Sequence, residues 1–335
     1  MTFKLNKLAA VVGVALGVLA VPSAFAAAEG MAQAVRQLSN FGLYNNGTST
    51  LLNAQTDFTR FTSSDRASVS ATLNGVTSAL NPPPSAPSPP ANLTQVCVGS
   101  CVQFPEDTFT TYSTPLTNVG SFSRADHALS GVIIGGIQIP LQPPGTFEAT
   151  PASSKLVAQT QILGTGTGTS NTTSGTSGTV EFTTANAGLS VSIQFDAADY
   201  LFAYVNPTVT ASASTSLTFS LRNATLNTQV FSWTPDGIVA LNGVIFGGIE
   251  TKDACSLNNN VGADSLSNGP FQTFCTGSFA ARTDPLLANT RYVLTFSETT
   301  TSEVTVVPEP ASLALVGAAL AGLGIARRRR TAKSV

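Results

Sequence analysis

The segment Leu189-Ser-Val-Ser-Ile-Gln-Phe195 alternates apolar and polar residues with a period of two. The same alternation occurs at residues 179–183, 216–221, 230–233, 292–297 and 303–307. β-Branched and aromatic residues fill these segments, which is typical of strands that bury one face. No segment of helical length and period occurs between residues 116 and 307. We therefore predict an all-β fold, a β-sandwich of jelly-roll type, over residues 92–307.

The region before the predicted sandwich is divided by a proline-rich stretch. Residues 81–91 contain six prolines, which hold the backbone extended and predict a linker or loop. Residues 27–80 form an N-terminal segment whose structure the pattern leaves largely open. At its start Met31, Val35 and Leu38 recur at near-helical spacing, so a short helix is predicted over residues 27–40.

The first 26 residues have the three parts of a secretory signal peptide. Lys4 and Lys7 precede an apolar run at residues 8–21, which is shorter than the roughly 20 residues of a membrane span. Ala24-Phe25-Ala26 supplies small residues at the positions that signal peptidase reads, so cleavage is expected after Ala26. A retained membrane helix is the alternative.

The C-terminal end combines an extended motif, an apolar stretch and a basic cluster. The motif is Pro308, Glu309 and Pro310, and the basic cluster is Arg327, Arg328, Arg329 and Arg330. Residues 311–326 between them are uncharged and are predicted to form an apolar helix in the inner membrane, with the arginines cytoplasmic. Residues 308–335 are predicted to be a sorting and anchor segment, because this order of parts, over residues 307–330, resembles the PEP-CTERM sorting domain of Gram-negative bacteria. The resemblance implies that exosortase, a membrane protease, reads and cuts the motif.

The body of the chain, residues 27–307, carries little charge. Nine basic and seventeen acidic residues give it a net charge of −8, whereas the whole chain has −2 because the other basic residues lie near the two ends. Charged residues make up 10% of the chain, against about 25% in ordinary globular proteins. Nucleic-acid phosphates require a basic face, so this composition excludes nucleic acid as a partner.

Four cysteines lie in the body: Cys97, Cys101, Cys255 and Cys275. An even number of cysteines in an exported chain favours disulfides. Of the three pairings that exist, we predict the two local ones, which join Cys97 to Cys101 and Cys255 to Cys275, so that each disulfide staples a loop. Zinc is the alternative, but neither spacing matches the paired knuckles of structural zinc sites.

One internal repeat interrupts the strand pattern. Residues 128–138 recur at residues 240–250 with eight of eleven positions identical. The apolar run before a Gly-Gly pair predicts a buried strand that ends in a sharp bend, with one copy in each sheet. A pair of ligand loops is the alternative, although the copies lack the lysine of a phosphate-binding loop.

The residues that could support catalysis are few. His127 is the single histidine of the chain, and with no G-x-S-x-G elbow present it is interpreted as an ordinary surface or turn residue. Asp196 and Asp199, or the adjacent Glu106 and Asp107, are the acids that a glycosidase would need as a facing pair. They are interpreted as solvated loop acids, so the chain is predicted not to be an enzyme.

No cofactor or metal centre is predicted from a motif. Two oxygen-rich loops, residues 196–199 and 253–264, could supply the hard ligands of a structural calcium ion. Asn258, Asn259 and Asn260 lie in the second loop. The chain has no D-x-D-x-D-G series, so solvated loops are the alternative reading.

Two aromatic residues are the candidates for ligand binding. Phe231 and Trp233 lie two positions apart on a predicted strand and therefore share one face of the sheet. If that face is exposed, the two rings could stack on the sugars of a polysaccharide. If it faces inward they belong to the core, which is the usual place for the only tryptophan of an apolar-rich domain.

The body also resembles a recurring type of PEP-CTERM protein, in residues 122–126, 194–196, 233–237 and 253–258. This resemblance implies a setting of exopolysaccharide and biofilm and brings no assignable reaction. The resulting hypothesis is an exported cell-surface or extracellular-matrix protein, held briefly in the inner membrane. The alternatives are a carbohydrate-binding module for the cell's own polysaccharide and a secreted hydrolase.

Overall fold

The computed structural model describes residues 28–45, 50–52, 57–83, 92–130, 139–141, 146–148, 152–164, 169–206, 209–238, 244–264, 266–267 and 270–306. Within these ranges there is no helix that is long and apolar enough to cross a membrane. The predicted signal peptide, the Pro308–Pro310 motif, the apolar residues 311–326 and the arginine cluster lie outside the described residues.

The described residues form strands throughout, connected by turns and irregular loops. In chain order these are β1 (Ala28–Asn45), β2 (Phe58–Leu73), β3 (Val76–Leu80), β4 (Leu93–Gly99), β5 (Phe122–Ser130), β6 (Ile139–Leu141), β7 (Thr146–Glu148), β8 (Ala152–Gly164), β9 (Thr169–Thr184), β10 (Val191–Val205), β11 (Val209–Asn223), β12 (Thr228–Thr234), β13 (Val244–Phe246), β14 (Gly248–Asp253), β15 (Asn260–Ala263), β16 (Phe271–Thr283) and β17 (Arg291–Val306).

Two antiparallel sheets pack face to face. The first has the order β14-β16-β10-β1-β8-β5-β4, and the second has the order β13-β12-β11-β17-β9-β2-β3, with β15 also paired to β11. Strands β6 and β7 form a separate two-stranded sheet. The predicted all-β, sandwich-like fold is therefore confirmed, while the jelly-roll connectivity remains a prediction.

The N-terminal segment belongs to the sandwich and does not precede it as a separate unit. Strand β1 lies in the middle of the first sheet, where it pairs with both β10 and β8, and β2 pairs with β9 in the second sheet. The short helix predicted over residues 27–40 is wrong, because this stretch is a strand. In its first half both faces are covered, so apolar residues such as Met31 and Val35 point outward and are still buried, while Ala32 and Ala34 point inward, and the alternation is hidden.

The repeat is described only in part, since residues 131–138 and 239–243 lie outside the described ranges. In the second copy β13 belongs to the second sheet and β14 to the first, and Gly247 joins them with a φ of 68°. A Cβ atom at Gly247 would overlap the carbonyl oxygen of Val230. The Gly-Gly pair therefore provides the sharp bend at which the chain passes from one sheet to the other.

The space between the sheets contains two main apolar clusters. One is rich in aromatic rings and includes Phe195, Phe219 and Trp233, with the Phe219 and Trp233 ring centroids 5.2 Å apart. The other consists of aliphatic side chains such as Ala203 and Val304.

A band of buried polar side chains separates the two clusters, because four neighbouring strands each direct a polar residue inward at the same height in the sandwich. These residues, named here the polar layer, are Arg36 in β1, Asp199 in β10, Thr215 in β11 and Glu298 in β17.

Arg36 joins the two sheets through this polar layer. Its guanidinium group donates to both carboxylate oxygens of Asp199, its cross-strand neighbour, at 2.8 and 2.5 Å. It also donates to the carbonyl oxygen of Ser216 in the second sheet at 2.5 Å and to that of Leu257. Both charged side chains are buried, with exposed fractions of 0% and 3%, so removal of either leaves the other uncompensated.

Glu298 lies in the same layer with an incomplete set of partners. Ser154 donates to its Oε1 at 2.6 Å, whereas Oε2 has no hydrogen-bond partner among the described residues. Burial raises the pKa of Glu298 to about 7, although the nearby Arg36 opposes this shift. The folded protein therefore favours the neutral form of this carboxyl group.

Replacement of Arg36 by Met should lower the free energy of unfolding by about 3 kcal/mol or more, because it leaves the Asp199 carboxylate buried without its cation. The double variant Arg36→Met/Asp199→Leu should recover part of this loss, since it removes the orphaned charge. Denaturant unfolding of the exported protein measures both values. Arg60→Met is the matched control, because Arg60 is 65% exposed and its nearest approach to Glu181 is 3.9 Å. Equal losses for Arg36→Met and Arg60→Met would contradict the role given to the polar layer.

Glu298→Gln should stabilise the protein above neutral pH. Because the pKa is raised in the folded state, the folded protein holds a proton that the unfolded chain releases, and stability falls as the pH rises from about 4.5 through 7. Glutamine carries no charge at any pH, so the gain should reach about 3 kcal/mol at pH 8 and vanish near pH 4.5. Thermal unfolding across this range measures the difference. The exposed Glu303→Gln should show no such trend, and a gain independent of pH would refute the proposed cause.

Candidate functional site

Phe231 and Trp233 do share one face of their strand, and that face is the inner one. Both side chains are fully buried, and the indole nitrogen of Trp233 donates a hydrogen bond to Glu250. A ring enclosed in the core cannot stack on a sugar. The ligand-binding role considered for these two residues is therefore wrong, and their interpretation as core residues agrees with the structure.

The two acids considered for hydrolysis lie on opposite faces of β10. Asp199 points into the polar layer, where it pairs with Arg36, whereas Asp196 points outward. They are separated by an odd number of positions, so the pleat of the strand directs them apart. They cannot face each other across one substrate as a glycosidase pair would.

His127 is buried in β5, so its interpretation as a surface or turn residue is wrong. Its Nε2 atom forms a hydrogen bond with the hydroxyl group of Thr176, and its Nδ1 atom has no partner among the described residues. Burial lowers its pKa to about 4, so the ring is neutral at physiological pH. Asp126, its neighbour, faces the other way and accepts a hydrogen bond from the backbone of Asp107 at 2.9 Å.

Both predicted disulfides are confirmed. Cys97 and Cys101 are joined at the end of β4, with their Cα atoms 6.2 Å apart, and Cys255 and Cys275 are joined with their Cα atoms 5.8 Å apart. The first disulfide lies at the start of the loop formed by residues 100–121. The second ties the loop after β14 to β16.

The loop at residues 100–121 covers part of the outer face of the first sheet. Side chains of the sheet satisfy its backbone: Gln33 accepts from the amide of Tyr112 at 2.9 Å and donates to the carbonyl oxygen of Thr110 at 2.7 Å. Arg124 donates to the carbonyl oxygen of Thr108 and lies 4.3 Å above the ring centre of Phe104. Several buried polar residues of β1, β5 and β8 are thus explained by the loop above them.

The rest of this outer face is open and carries a groove, named here the outer groove. It has a volume of about 440 Å³ and crosses β8, β1, β10 and β16. A smaller hollow of about 120 Å³ adjoins it and shares Asp196 and Ser278 with it. Polar side chains at the groove and the hollow include Gln37, Lys155, Asp196, Thr276, Ser278, Asn40, Tyr44 and Lys252.

Asp196 lies where the groove and the hollow meet. Its two carboxylate oxygens accept hydrogen bonds from the Ser278 hydroxyl at 2.6 Å and from the Asn40 side-chain amide at 2.7 Å. These bonds, with the charge of Lys252, lower its pKa, so the group is ionised at neutral pH. Asn40 reaches it because β1 contains a bulge after Ser39, where Asn40 has a φ of 54°.

An exposed aromatic side chain stands beside the outer groove. Phe274 on β16 is 70% exposed, and it lies two residues before Thr276 on the same face of the strand. Its cross-strand neighbour is Tyr200, whose hydroxyl group donates to the carbonyl oxygen of Tyr112 at 2.8 Å. An apolar ring beside fixed polar groups is suited to a ligand that is apolar on one side and hydroxylated at its edge.

A separate group of acids lies where β14 meets the turn after β12. One carboxylate oxygen from each of Asp236, Glu250 and Asp253 lies within 4.8 Å of the others. Burial is the main cause that raises the pKa of Glu250, to about 7, and that of Asp253, and the neighbouring acids contribute. Of the residues considered for calcium, Asp253 belongs to this group. The side-chain oxygen of Asn258 is instead bonded to the amide of Leu217.

Comparison with known proteins identifies one family feature. The model of the PEP-CTERM protein-sorting motif matches residues 306–330, and no curated protein matches the chain. Among solved structures, infectious bursal disease virus Gx strain shares 12% identity over 85% of this chain and 80% of that chain, with a TM-score of 0.10. The Gt strain shares 10% over 84% and 81%, also with a TM-score of 0.10. Such scores support no conclusion about fold or function. The chain therefore carries the PEP-CTERM sorting motif of exosortase substrates, which indicates export and sorting to the cell surface of a Gram-negative bacterium.

Proposed function

We propose that this exported protein is a non-catalytic component of the cell surface or extracellular matrix that binds the cell's own exopolysaccharide. The observation that carries the proposal is the outer groove, with the ionised Asp196 fixed by two hydrogen bonds and with Phe274 exposed beside it. Carbohydrate binding is thus assigned to the outer face of the first sheet and no longer to Phe231 and Trp233, which lie on the inner face of the second sheet.

The chemistry of the outer groove fits a polysaccharide chain. The Phe274 ring offers an apolar surface on which the C–H face of a sugar ring can pack. Asp196 and Gln37 provide acceptors and donors for hydroxyl groups, and Lys155 and Lys252 add positive charge for acidic sugars. The groove is open along the sheet, so a long polymer can lie across it.

The protein reaches the cell surface by export and sorting, and no catalytic reaction is assigned to it. Signal peptidase removes residues 1–26, the apolar residues 311–326 hold the chain in the inner membrane, and exosortase then cuts at the Pro308–Pro310 motif. A hydrolase would need Asp196 and Asp199 as a pair, but the two side chains lie on opposite faces of β10. Biofilm matrix is the setting in which such a protein would act.

Retention of the exported protein on immobilised exopolysaccharide from the producing cells tests the binding proposal. Phe274→Ala should weaken retention about tenfold, because the loss of one packed aromatic face costs about 1.4 kcal/mol or more of binding energy. Asp196→Asn should weaken it as well, since the amide cannot accept from both Ser278 and Asn40. Affinity electrophoresis gives the dissociation constants.

The matched control is Phe246→Ala, because Phe246 is 58% exposed on β13 of the second sheet, away from the groove. It should bind as the unaltered protein does. Unchanged retention of Phe274→Ala, or equal losses for the two phenylalanine variants, would reject the outer groove as the binding site. Near-UV circular dichroism establishes that each variant is folded.

Deletion of residues 308–310 should leave an uncleaved precursor in the inner membrane, because exosortase loses its recognition motif. Cell fractionation and immunoblotting against the body measure the distribution and size of the protein. Deletion of three prolines elsewhere, at residues 82–84, should leave sorting unchanged. Normal processing of the 308–310 deletion would refute the sorting route.

A further inference from the structure

The acid group of Asp236, Glu250 and Asp253 occupies a corner of the sandwich. Asp236 follows the end of β12 in the second sheet, whereas Glu250 and Asp253 lie in β14 of the first sheet. A backbone bridge joins Asp236 to Ser256, next to the Cys255–Cys275 disulfide. The three carboxylates therefore meet where the chain passes between the sheets.

One carboxylate oxygen of Glu250 and one of Asp253 already accept hydrogen bonds, and these bonds orient the second oxygen of each group. The backbone amides of Asp236 and Gly237 donate to Asp253 Oδ2 at 2.8 and 2.7 Å. The indole of Trp233 donates to Glu250 Oε1. These bonds hold both side chains in place without using their second oxygens.

The second oxygens of Glu250 and Asp253 are buried and receive no donor from the described residues, although the two carboxyl groups lie close enough to share a proton. Glu250 and Asp253 are 7% and 5% exposed, and their Oε2 and Oδ1 atoms accept no hydrogen bond within the described part of the chain. None of the ion pairs found there includes either residue. Two buried carboxyl groups side by side, with a third within 4.8 Å, concentrate negative charge that one shared proton compensates only in part.

We propose that this corner binds a calcium ion, held by one oxygen each of Asp236, Glu250 and Asp253. The donors are all oxygen, which suits hard cations and disfavours zinc. Calcium accepts irregular sets of six to eight oxygens, whereas magnesium demands near-octahedral geometry and retains several waters. Asp236 is half-buried, so water can complete the coordination from its side.

The ion would act as a clamp between the two sheets. It would connect the turn after β12 to β14, next to the disulfide that ties the loop after β14 to β16. Trp233 is bonded to one of the ligands, so the aromatic cluster of the core would be coupled to the same ion. The outer groove lies on the far face of the first sheet and does not share these ligands, so this site is independent of polysaccharide binding.

The test is calcium binding to the exported, folded protein after treatment with EDTA. Isothermal titration with CaCl2 should show one site per chain, and 10 mM CaCl2 should raise the Tm by about 5 °C if the affinity is that of extracellular calcium modules. Magnesium at the same concentration should give a much smaller shift. Glu250→Gln and Asp253→Asn should each abolish the calcium-dependent shift, and Glu303→Gln, on an exposed position of β17, should retain it.

Three results would overturn the proposal: no bound calcium and no shift in the unaltered protein, a shift that persists in both ligand variants, or a larger shift with magnesium. A variant that does not fold in EDTA or in calcium is replaced by Asp236→Asn, whose side chain is less buried. If calcium does not bind and Glu250→Gln raises the Tm by itself, the two carboxyl groups share a proton in place of an ion.

Discussion

The Arg36 guanidinium group, buried between the sheets, is the constraint on which the rest of the structure depends. It satisfies Asp199 in its own sheet and two backbone carbonyl oxygens beyond it, so it fixes how β1, β10 and β11 lie against one another. A slip of β1 by one residue would turn this charge outward and bring Gln37 into the core. A buried ion pair of this kind adds little net stability, but a register that separated Arg36 from Asp199 would leave Asp199 buried without its cation. The apolar clusters on either side supply the stabilising burial that the polar layer does not.

The same register determines what the first sheet presents to solvent. Because Asp199 is directed inward, Asp196, three residues earlier, is directed outward, together with Ala198 and Tyr200. The bulge after Ser39 then shifts β1 so that Phe41 returns to the core while the Asn40 side chain reaches Asp196. The loop at residues 100–121 covers the remaining part of this face. The outer groove is thus what the inner register and the covering loop leave open.

The sequence indicated most of the later strands, since β10, β11 and β17 alternate regularly and each faces the core on one side only. It failed for β1, where apolar residues lie on both faces and alanines satisfy a helical as well as an extended pattern. Phe231 and Trp233 were placed correctly on one face, but a period of two cannot tell the inner face from the outer. The outer groove had no signal at all, because its residues come from four strands that are neighbours only after pairing. Asp236 and Glu250 were missed for the same reason, although a Pro-Asp-Gly turn and the second repeat contain them.

Several of the few charged residues of the body are buried in the folded protein. At least five of its seventeen acidic residues are buried: Asp126, Asp199, Glu250, Asp253 and Glu298. Arg36 and Arg124 are fully buried as well, so solubility rests largely on serine, threonine and asparagine. Burial of a charged group lowers the stability of the folded state unless the group is paired. Buried charges are therefore expected where they fix the geometry of the fold or hold a ligand. Asp199 has its arginine and Asp126 has backbone amides, whereas Glu250 and Asp253 keep two unpartnered oxygens against each other. Glu298 also keeps one unpartnered oxygen, but among the described residues the corner beside β14 is where three carboxylates come together, which is the arrangement that a cation can bridge.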